Sequence, residues 1–411
     1  MMKIVLFEDA DYQNFLPLTY FRPVWDLRCG IYTLEEKLKY SLGTRGFFYS
    51  AREYLLNFYL PPSQNIQSLP SEDCLFINGR LLLSGDNPQK ILDMPADSVL
   101  VSGDSVAAWR TPGKSLHQYF SKGIILEDRI RNDFITQESE LNLVKYPWDL
   151  IDRNGSEIVS DAKFSANLGQ LEGTIDDGVH ILGKENVYVS EAARVMPGVV
   201  IDATAGPVWI DQNARIMPQA VLEGPIAVGR DSVVKIAAKI YENVTIGPVC
   251  KVGGEVEESI FHSYSNKQHD GFLGHSYLGS WINIGADTNN SDLKNNYGEI
   301  SVLLNNRKIN TGKRFLGAII GDHTKTSINT MINTGSVIGV CCNIFGEGFP
   351  PKFVPSFSWG GSAGFQNYDF EKALQVSKIV MERRKVSFTE NQRRLFQAVK
   401  DLSIEVERKT A

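Results

Sequence analysis

Aliphatic side chains fall on every sixth residue from Ile210 to Val252, at Ile210, Ile216, Leu222, Val228, Val234, Ile240, Ile246 and Val252. An amphipathic helix repeats its apolar positions at about 3.6 and a half-buried strand at about 2, so neither accounts for this spacing. A hexad period belongs to a parallel β-helix, in which each short strand gives one side chain to a central core. Three hexads make one triangular turn, and hexads of this aliphatic-glycine kind predict a left-handed coil, an exception to the right-handed crossover rule. The ruler continues upstream through Val189, Val195 and Ile201, with a slip between Ala203 and Val208. Downstream it runs through Phe272, Leu278 and Ile284, then Ile320, Ile332, Ile338 and Ile344, with Thr326 as a polar rung. Glycine follows core positions at Gly229, Gly247, Gly279 and Gly339, where either a positive φ or a close approach of backbones calls for a missing Cβ. The breaks near 253–271 and 287–318 are the expected mounting points for binding chemistry.

The first 150 residues follow another pattern. Short apolar runs at Ile4–Phe7, Gly46–Tyr49, Cys74–Ile77 and Ser98–Val101 alternate with helical or loop segments such as Leu34–Ser41 and Ala51–Phe58, which predicts an α/β sheet. Tyr146–Ile151 reads as the handover to the coil. Beyond Phe365, two charge-rich segments with apolar residues at helical spacing, Val376 and Val380 and then Leu395, Val399 and Leu402, predict a terminal helical pair. The expected division is an α/β domain over 1–150, the coil over 151–365 and a helical extension over 366–411.

Composition narrows the function classes. A chain of 411 residues has room for two or three domains, and its net charge of −6 argues against nucleic acid as a partner. No apolar run approaches a membrane span, and Met1–Lys3 leads straight into a strand without signal-peptide architecture. The five cysteines, at 29, 74, 250, 341 and 342, form no CxxC pair and read as small core residues of a reducing compartment, so the cytoplasm is the expected location.

Two runs carry a family resemblance. The first spans Phe15 to Lys37 around Leu18-Thr19-Tyr20-Phe21-Arg22-Pro23-Val24-Trp25-Asp26-Leu27-Arg28; the second spans Tyr264 to Gly298 and includes Lys267-Gln268-His269-Asp270-Gly271-Phe272 and Asn289-Asn290-Ser291-Asp292. Together they resemble the divergent branch of sugar-1-phosphate nucleotidyltransferases fused to a hexapeptide-repeat acyltransferase. The resemblance implies a nucleotidyltransferase-like (Rossmann-like) α/β domain, a left-handed parallel β-helix with terminal α-helices, and synthesis of a nucleotide-sugar of the UDP-N-acetylglucosamine or dTDP-glucose type. It also implies a sugar phosphate, a nucleoside triphosphate with Mg²⁺ and acetyl-CoA as ligands, and packing of three coils into a homotrimer.

Acyl transfer to a sugar amine needs a base for the amine proton and a donor for the developing oxyanion. In the family's bifunctional enzymes the catalytic histidine stands three residues before an aromatic, followed by Asn-Ile-Gly-Ala; His269, Phe272 and Asn283-Ile284-Gly285-Ala286 fall on those places without a gap. The resemblance therefore makes His269 the base, Asn283 its polar partner and Ala286 part of the acyl-donor site, and places Phe272 where the family has Tyr. Asn289, Asn290, Asn296 and Tyr297 form an amide-rich loop suited to sugar hydroxyls, and Lys267, Lys313 and Arg314 are candidate cations for phosphates. His275 ranks behind His269. In the α/β domain the usual glycine-rich loop is missing, the segment after the first strand reading Glu8-Asp9-Ala10-Asp11. Arg22 and Arg28 are candidates for its charge, and Asp9 and Asp104 for metal ligands. A single-activity enzyme with the other domain as scaffold, and a non-catalytic nucleotide-sugar-binding regulator, remain open alternatives.

Overall fold

In the computed structural model, residues 2–44, 46–59, 62–65, 73–83, 87–112 and 116–407 are described. They fall into two compact units, the first made of Met1–Phe15, Phe21–Leu27 and Tyr32–Tyr146, the second of Leu16–Tyr20, Arg28–Ile31 and Pro147–Ala411.

The first unit is built on a six-stranded sheet. Strands Phe48–Ser50, Lys3–Phe7 and Asp73–Asn78 lie parallel and adjacent in that order; Ser105–Pro112 and Ser98–Ser102 continue the sheet antiparallel, and Ile135–Glu138 closes it. The helix Leu34–Leu42 joins the first two parallel strands. It starts at a capping box, in which the Thr33 hydroxyl accepts from Glu36 N–H and the Glu36 carboxylate from Thr33 N–H, and stops at Gly43 with φ of 61°. Residues at alternate strand positions, including Val5, Phe7, Phe76, Val99 and Trp109, form one core face.

The main segment of the second unit begins with the helix Pro147–Ser165, longer than the short handover expected from Tyr146–Ile151. A parallel β-solenoid of about ten turns and left-handed β-helix type follows over residues 174–360. Every third strand pairs with the next in its column, giving three parallel faces, of which one holds nine strands from Val187–Val189 to Phe353–Val354. In that face Ile210, Val228, Ile246, Phe261, Leu278, Ile320, Ile338 and Val354 stack in register and all are fully buried. The hexad period is thus the geometric consequence of one inward side chain per face. Ile246→Ala should cost roughly 2–5 kcal/mol, against about 0.5 or less for Ile236→Ala, which is 57% exposed; chemical denaturation of the two variants measures the difference.

One expectation about the coil is corrected and one alternative is decided. Leu273, not Phe272, is the buried rung, and Phe272 turns outward, because a one-residue shift in a strand reverses the face. The glycines that follow core positions serve close approach rather than positive φ: a Cβ on Gly247 would collide with the His262 carbonyl oxygen of the next turn. The left-handed corners are instead filled by residues such as Asn213, Gln219, Asp231, Ala237, Asn243 and Val249.

The coil also runs through 253–271 without a detached loop, by shortening its corners. The second break is real and holds the hairpin Ser301–Leu304 with Arg307–Asn310. A buried polar knot secures the unit's short N-terminal pieces: Asn154 accepts from Gly30 N–H at 2.8 Å and from Thr245 Oγ1 at 3.0 Å, and donates to the Asn243 carbonyl at 2.8 Å. Helices Phe370–Glu382 and Glu390–Glu407 end the chain. In the second of them Glu407 accepts from the Tyr20 hydroxyl and from Ser356. No described helix is long and apolar enough to cross a membrane, and all five cysteines are free and buried.

Candidate functional site

The second unit carries a groove of about 470 Å³. Three successive corners of the coil place Tyr264, Trp281 and His323 one above another at φ of 53°, 63° and 61°. Their rings stack, Tyr264 on Trp281 at 4.2 Å and 17°, Trp281 on His323 at 6.0 Å and 14°. The adjoining wall carries the polar side chains Asn266, Gln268 and Asn283, with Lys251 and Lys325, all lining the groove. Arg383 and Arg384, just past the helix Phe370–Glu382, close the other side, and Arg384 Nη2 donates to Asn266 Oδ1 at 2.8 Å.

Four cations share this space, and among the described residues none of them has an ion-pair partner. Burial pushes the Lys325 ammonium down to about 8. Lys251 is lowered too, first by burial and then by the charges of Arg384, Lys235, Arg215 and Arg383. The groove is therefore electropositive, walled by rings and amides, and suited to a phosphorylated organic ligand.

His269 occupies an exposed bend directly after the groove residue Gln268, at the far corner of the same strand. Asn283 is exposed and lines the groove itself. Of the predicted residues, Asn283 lines the groove, and His269 is the neighbour in sequence of its lining residue Gln268. Ala286 lies at the next corner, its carbonyl accepting from Asn329 N–H.

Other predicted site residues have different work. Lys267 pairs in register with the core residue Val252, is 1% exposed, and donates to the carbonyls of Gly253 and His269 at 2.9 and 3.0 Å. Burial brings its pKa to about 8 against the opposing charges of Asp270, Asp287 and Glu255. It is a corner brace, not a phosphate ligand, because its ammonium has no path to solvent. Asn290 is buried and both accepts from Gly274 N–H and donates to the Gly274 carbonyl, while Asn289 accepts from Phe272 N–H, so these amides replace a missing rung of ladder. Asn296 caps Gly298 in a turn and Tyr297 is 67% exposed. Lys313 pairs with Asp152, and Arg314 is exposed.

His275 is better supported than its sequence context indicates. Its Nδ1 lies 2.8 Å from Asp292 and 3.9 Å from Glu257, and its ring stacks on Phe315 at 5.1 Å. Burial disfavours the charged ring, but the Asp292 hydrogen bond and the surrounding carboxylates leave its pKa raised. His275, Glu257 and Asp292 are also the one trio of metal-capable side chains found among the described residues.

In the first unit the segment after strand Lys3–Phe7 is locked by buried ion pairs. Glu8 holds Arg52 through both oxygens at 3.0 Å. Asp9 is fully buried, receives the Arg80 guanidinium on both oxygens, and also accepts from Asn78 Nδ2 at 2.6 Å. With its lone pairs taken, Asp9 does not fit the Mg²⁺ that nucleotidyl transfer implies, and Asp104 sits exposed on a turn, its carbonyl accepting from Arg131. Arg22 is buried, 3.4 Å from Asp26. Arg28 belongs to the other unit, where its guanidinium bonds the Ile31 carbonyl and its backbone bonds the Tyr277 hydroxyl.

Glu127, beside this network, is raised to about 7 by burial and then by the Asp9 charge. A carboxyl held protonated in the folded chain loses stability as pH climbs from its ordinary value through 7. Glu127→Gln keeps the acceptor for Val106 N–H and should therefore stabilise the protein by roughly 1–3 kcal/mol at pH 8, with no gain at pH 4; melting curves at the two pH values decide it.

The chain is similar to several known proteins. A bifunctional sugar-1-phosphate nucleotidylyltransferase/acetyltransferase from Sulfurisphaera tokodaii is 32% identical over 202 residues, 48% of this chain and 43% of its own. A bifunctional protein GlmU from Methanococcus aeolicus is 27% identical over 245 residues, 59% of this chain and 54% of its own, so the chain spans about half the length of these relatives. A solved UDP-N-acetylglucosamine O-acyltransferase from Moraxella catarrhalis aligns with 56% of this chain and 97% of its own at 10% identity and a TM-score of 0.22. Residues 4–167 match the family described as sugar nucleotidyl transferase, and the chain resembles the bifunctional sugar-1-phosphate nucleotidyltransferase/acetyltransferases.

Proposed function

We propose that this protein is a transferase of nucleotide-sugar synthesis whose coil moves an acetyl group from coenzyme A to the amine of a sugar phosphate. The observation that carries this reading is the exposed His269 beside a cationic groove that Gln268 and Asn283 line. In the reaction the sugar nitrogen attacks the thioester carbonyl carbon, the C–S bond breaks, and His269 takes the amine proton and returns it to the leaving thiolate. Asn283 supplies an amide N–H for positioning the acceptor or the developing oxyanion, and the outward Phe272 offers an apolar face to the sugar ring. The expected assembly is a homotrimer in the cytoplasm, with light scattering at three chain masses as its check.

The first unit, on this reading, joins a sugar 1-phosphate to a nucleotide, with Arg22 near the phosphates. One observation favours a narrower function, acyl transfer alone with the first unit as scaffold: the Glu8–Arg52 and Asp9–Arg80 pairs consume the charges that triphosphate and metal would need. Purified protein given glucosamine 1-phosphate, acetyl-CoA, and UTP or dTTP separates the two. Release of free thiol together with pyrophosphate supports both activities. Thiol without pyrophosphate supports the narrower one, and neither product refutes the proposal.

A further inference from the structure

Glu257, His275 and Asp292 sit on three successive turns of the coil. Glu257 pairs in register with Gly274, the residue before His275, and the Asn290 amide ties Gly274 to the next turn, two residues ahead of Asp292. The donor atoms of the trio lie within 4.8 Å of one another. The two separations from His275 Nδ1, 2.8 Å to Asp292 and 3.9 Å to Glu257, bracket the roughly 3–3.5 Å between neighbouring donors around a cation with bonds of about 2.0–2.2 Å.

Two further observations set the trio apart from a chance cluster at the surface. Leu316 N–H donates to the Asp292 carbonyl and Gly317 N–H to the His275 carbonyl, both at 2.9 Å, while the Phe315 ring stacks on the imidazole. Donors pinned from behind in this way keep their orientation. Gly274 leaves open the space in front of Asp292: a Cβ there would collide with Asp292 Oδ2 and, at 2.6 Å, with Phe272 Cζ. Charge points the same way. Glu257 and Asp292 repel each other when both are ionised, Glu242 and Glu258 add to the negative field, and His275 contributes at most one positive charge.

The geometry points to a binding site for one divalent transition cation of the Zn²⁺ or Co²⁺ class, held by His275 Nδ1 and the Glu257 and Asp292 carboxylates. An imidazole in the donor set favours these ions over Mg²⁺ and Ca²⁺, which take oxygen ligands. Three protein donors leave a coordination position for water or an oxygen ligand. The partial exposure of Glu257 and His275 gives that ligand a way in beside the outward Phe272. The site is independent of the acyl-transfer reading.

Calorimetric titration of the full chain, stripped with a chelator, with Zn²⁺, Co²⁺ and Mg²⁺ is the test. Zn²⁺ should bind at one ion per chain and about tenfold or more tighter than Mg²⁺. His275→Asn and Asp292→Asn should each weaken Zn²⁺ by about tenfold or more, whereas His180→Asn, at an exposed imidazole elsewhere on the coil, should leave it unchanged. Bound Co²⁺ should show visible absorption that His275→Asn removes. Saturating Zn²⁺ should raise the melting temperature of the wild type and not that of His275→Asn, a comparison within each protein that stands even where the substitution itself destabilises. Absence of Zn²⁺ binding, binding undiminished in both site variants, or its loss in His180→Asn overturns the inference.

Discussion

Replacing His269 with alanine is expected to lower acetyl transfer by roughly 10²- to 10⁴-fold, the range for loss of a positioned general base, with little change in melting temperature. The ring stands exposed on a bend, so its removal opens no cavity and strands no buried polar group. Nucleotidyl transfer, if present, should be unaffected, while Arg22→Ala should spare acetyl transfer and depress nucleotidyl transfer. His275 is the rival, because it has a carboxylate partner at 2.8 Å that His269 lacks among the described residues. If His275→Asn removes activity and His269→Ala does not, the base lies on the other corner of the coil.

Arg80→Ala should destabilise the first unit by roughly 3–5 kcal/mol, the cost of leaving a buried charge without its partner. Arg80 is fully buried, and besides Asp9 it bonds the Val144 carbonyl at 2.8 Å and the Ser105 hydroxyl at 3.0 Å. Asp9→Leu paired with Arg80→Met should recover most of the loss, since a dry apolar pair replaces two desolvated ions. Urea denaturation of both singles and the double yields the coupling. The same cycle tests the role of Asp9: a metal ligand would make Asp9→Asn inactive at nearly full stability, whereas a structural partner of Arg80 makes the variant unstable first.

The fold was legible in the sequence to an unusual degree because a coil with one inward residue per face writes its period directly into the chain. Ile210 through Val252 needed only counting, and all eight residues of that series lie in the buried core of the coil. Legibility failed where the corners shorten. Phe272 sits at the expected six-residue step but points out, and Lys267, polar and apparently ready for phosphate, sits on an inward rung and spends its charge on two carbonyls. Spacing reports the mean path of the chain, not which face a particular side chain takes after a one-residue slip.

The site was less legible. A short motif picked out His269 and Asn283; both are exposed, Asn283 lining the groove and His269 following its lining residue Gln268. Trp281, Tyr264, Lys325, Arg383 and Arg384 were missed: their separations in sequence follow no motif, and only coiling and the return of the terminal helix bring them together. The rings at 264 and 281 do share the corner phase of the coil, a signal available to anyone who follows the turns rather than the core.

What the sequence determined alone is the three-faced coil and the α/β nature of the first unit, both consequences of local periodicity. The tertiary structure decided how charge is disposed. It closed Glu8 and Asp9 onto arginines 44 and 71 residues away, and it gathered into one groove four cations that have no ion-pair partner among the described residues. Coulomb energy depends on distance and burial, and neither quantity is written in the order of residues along a chain.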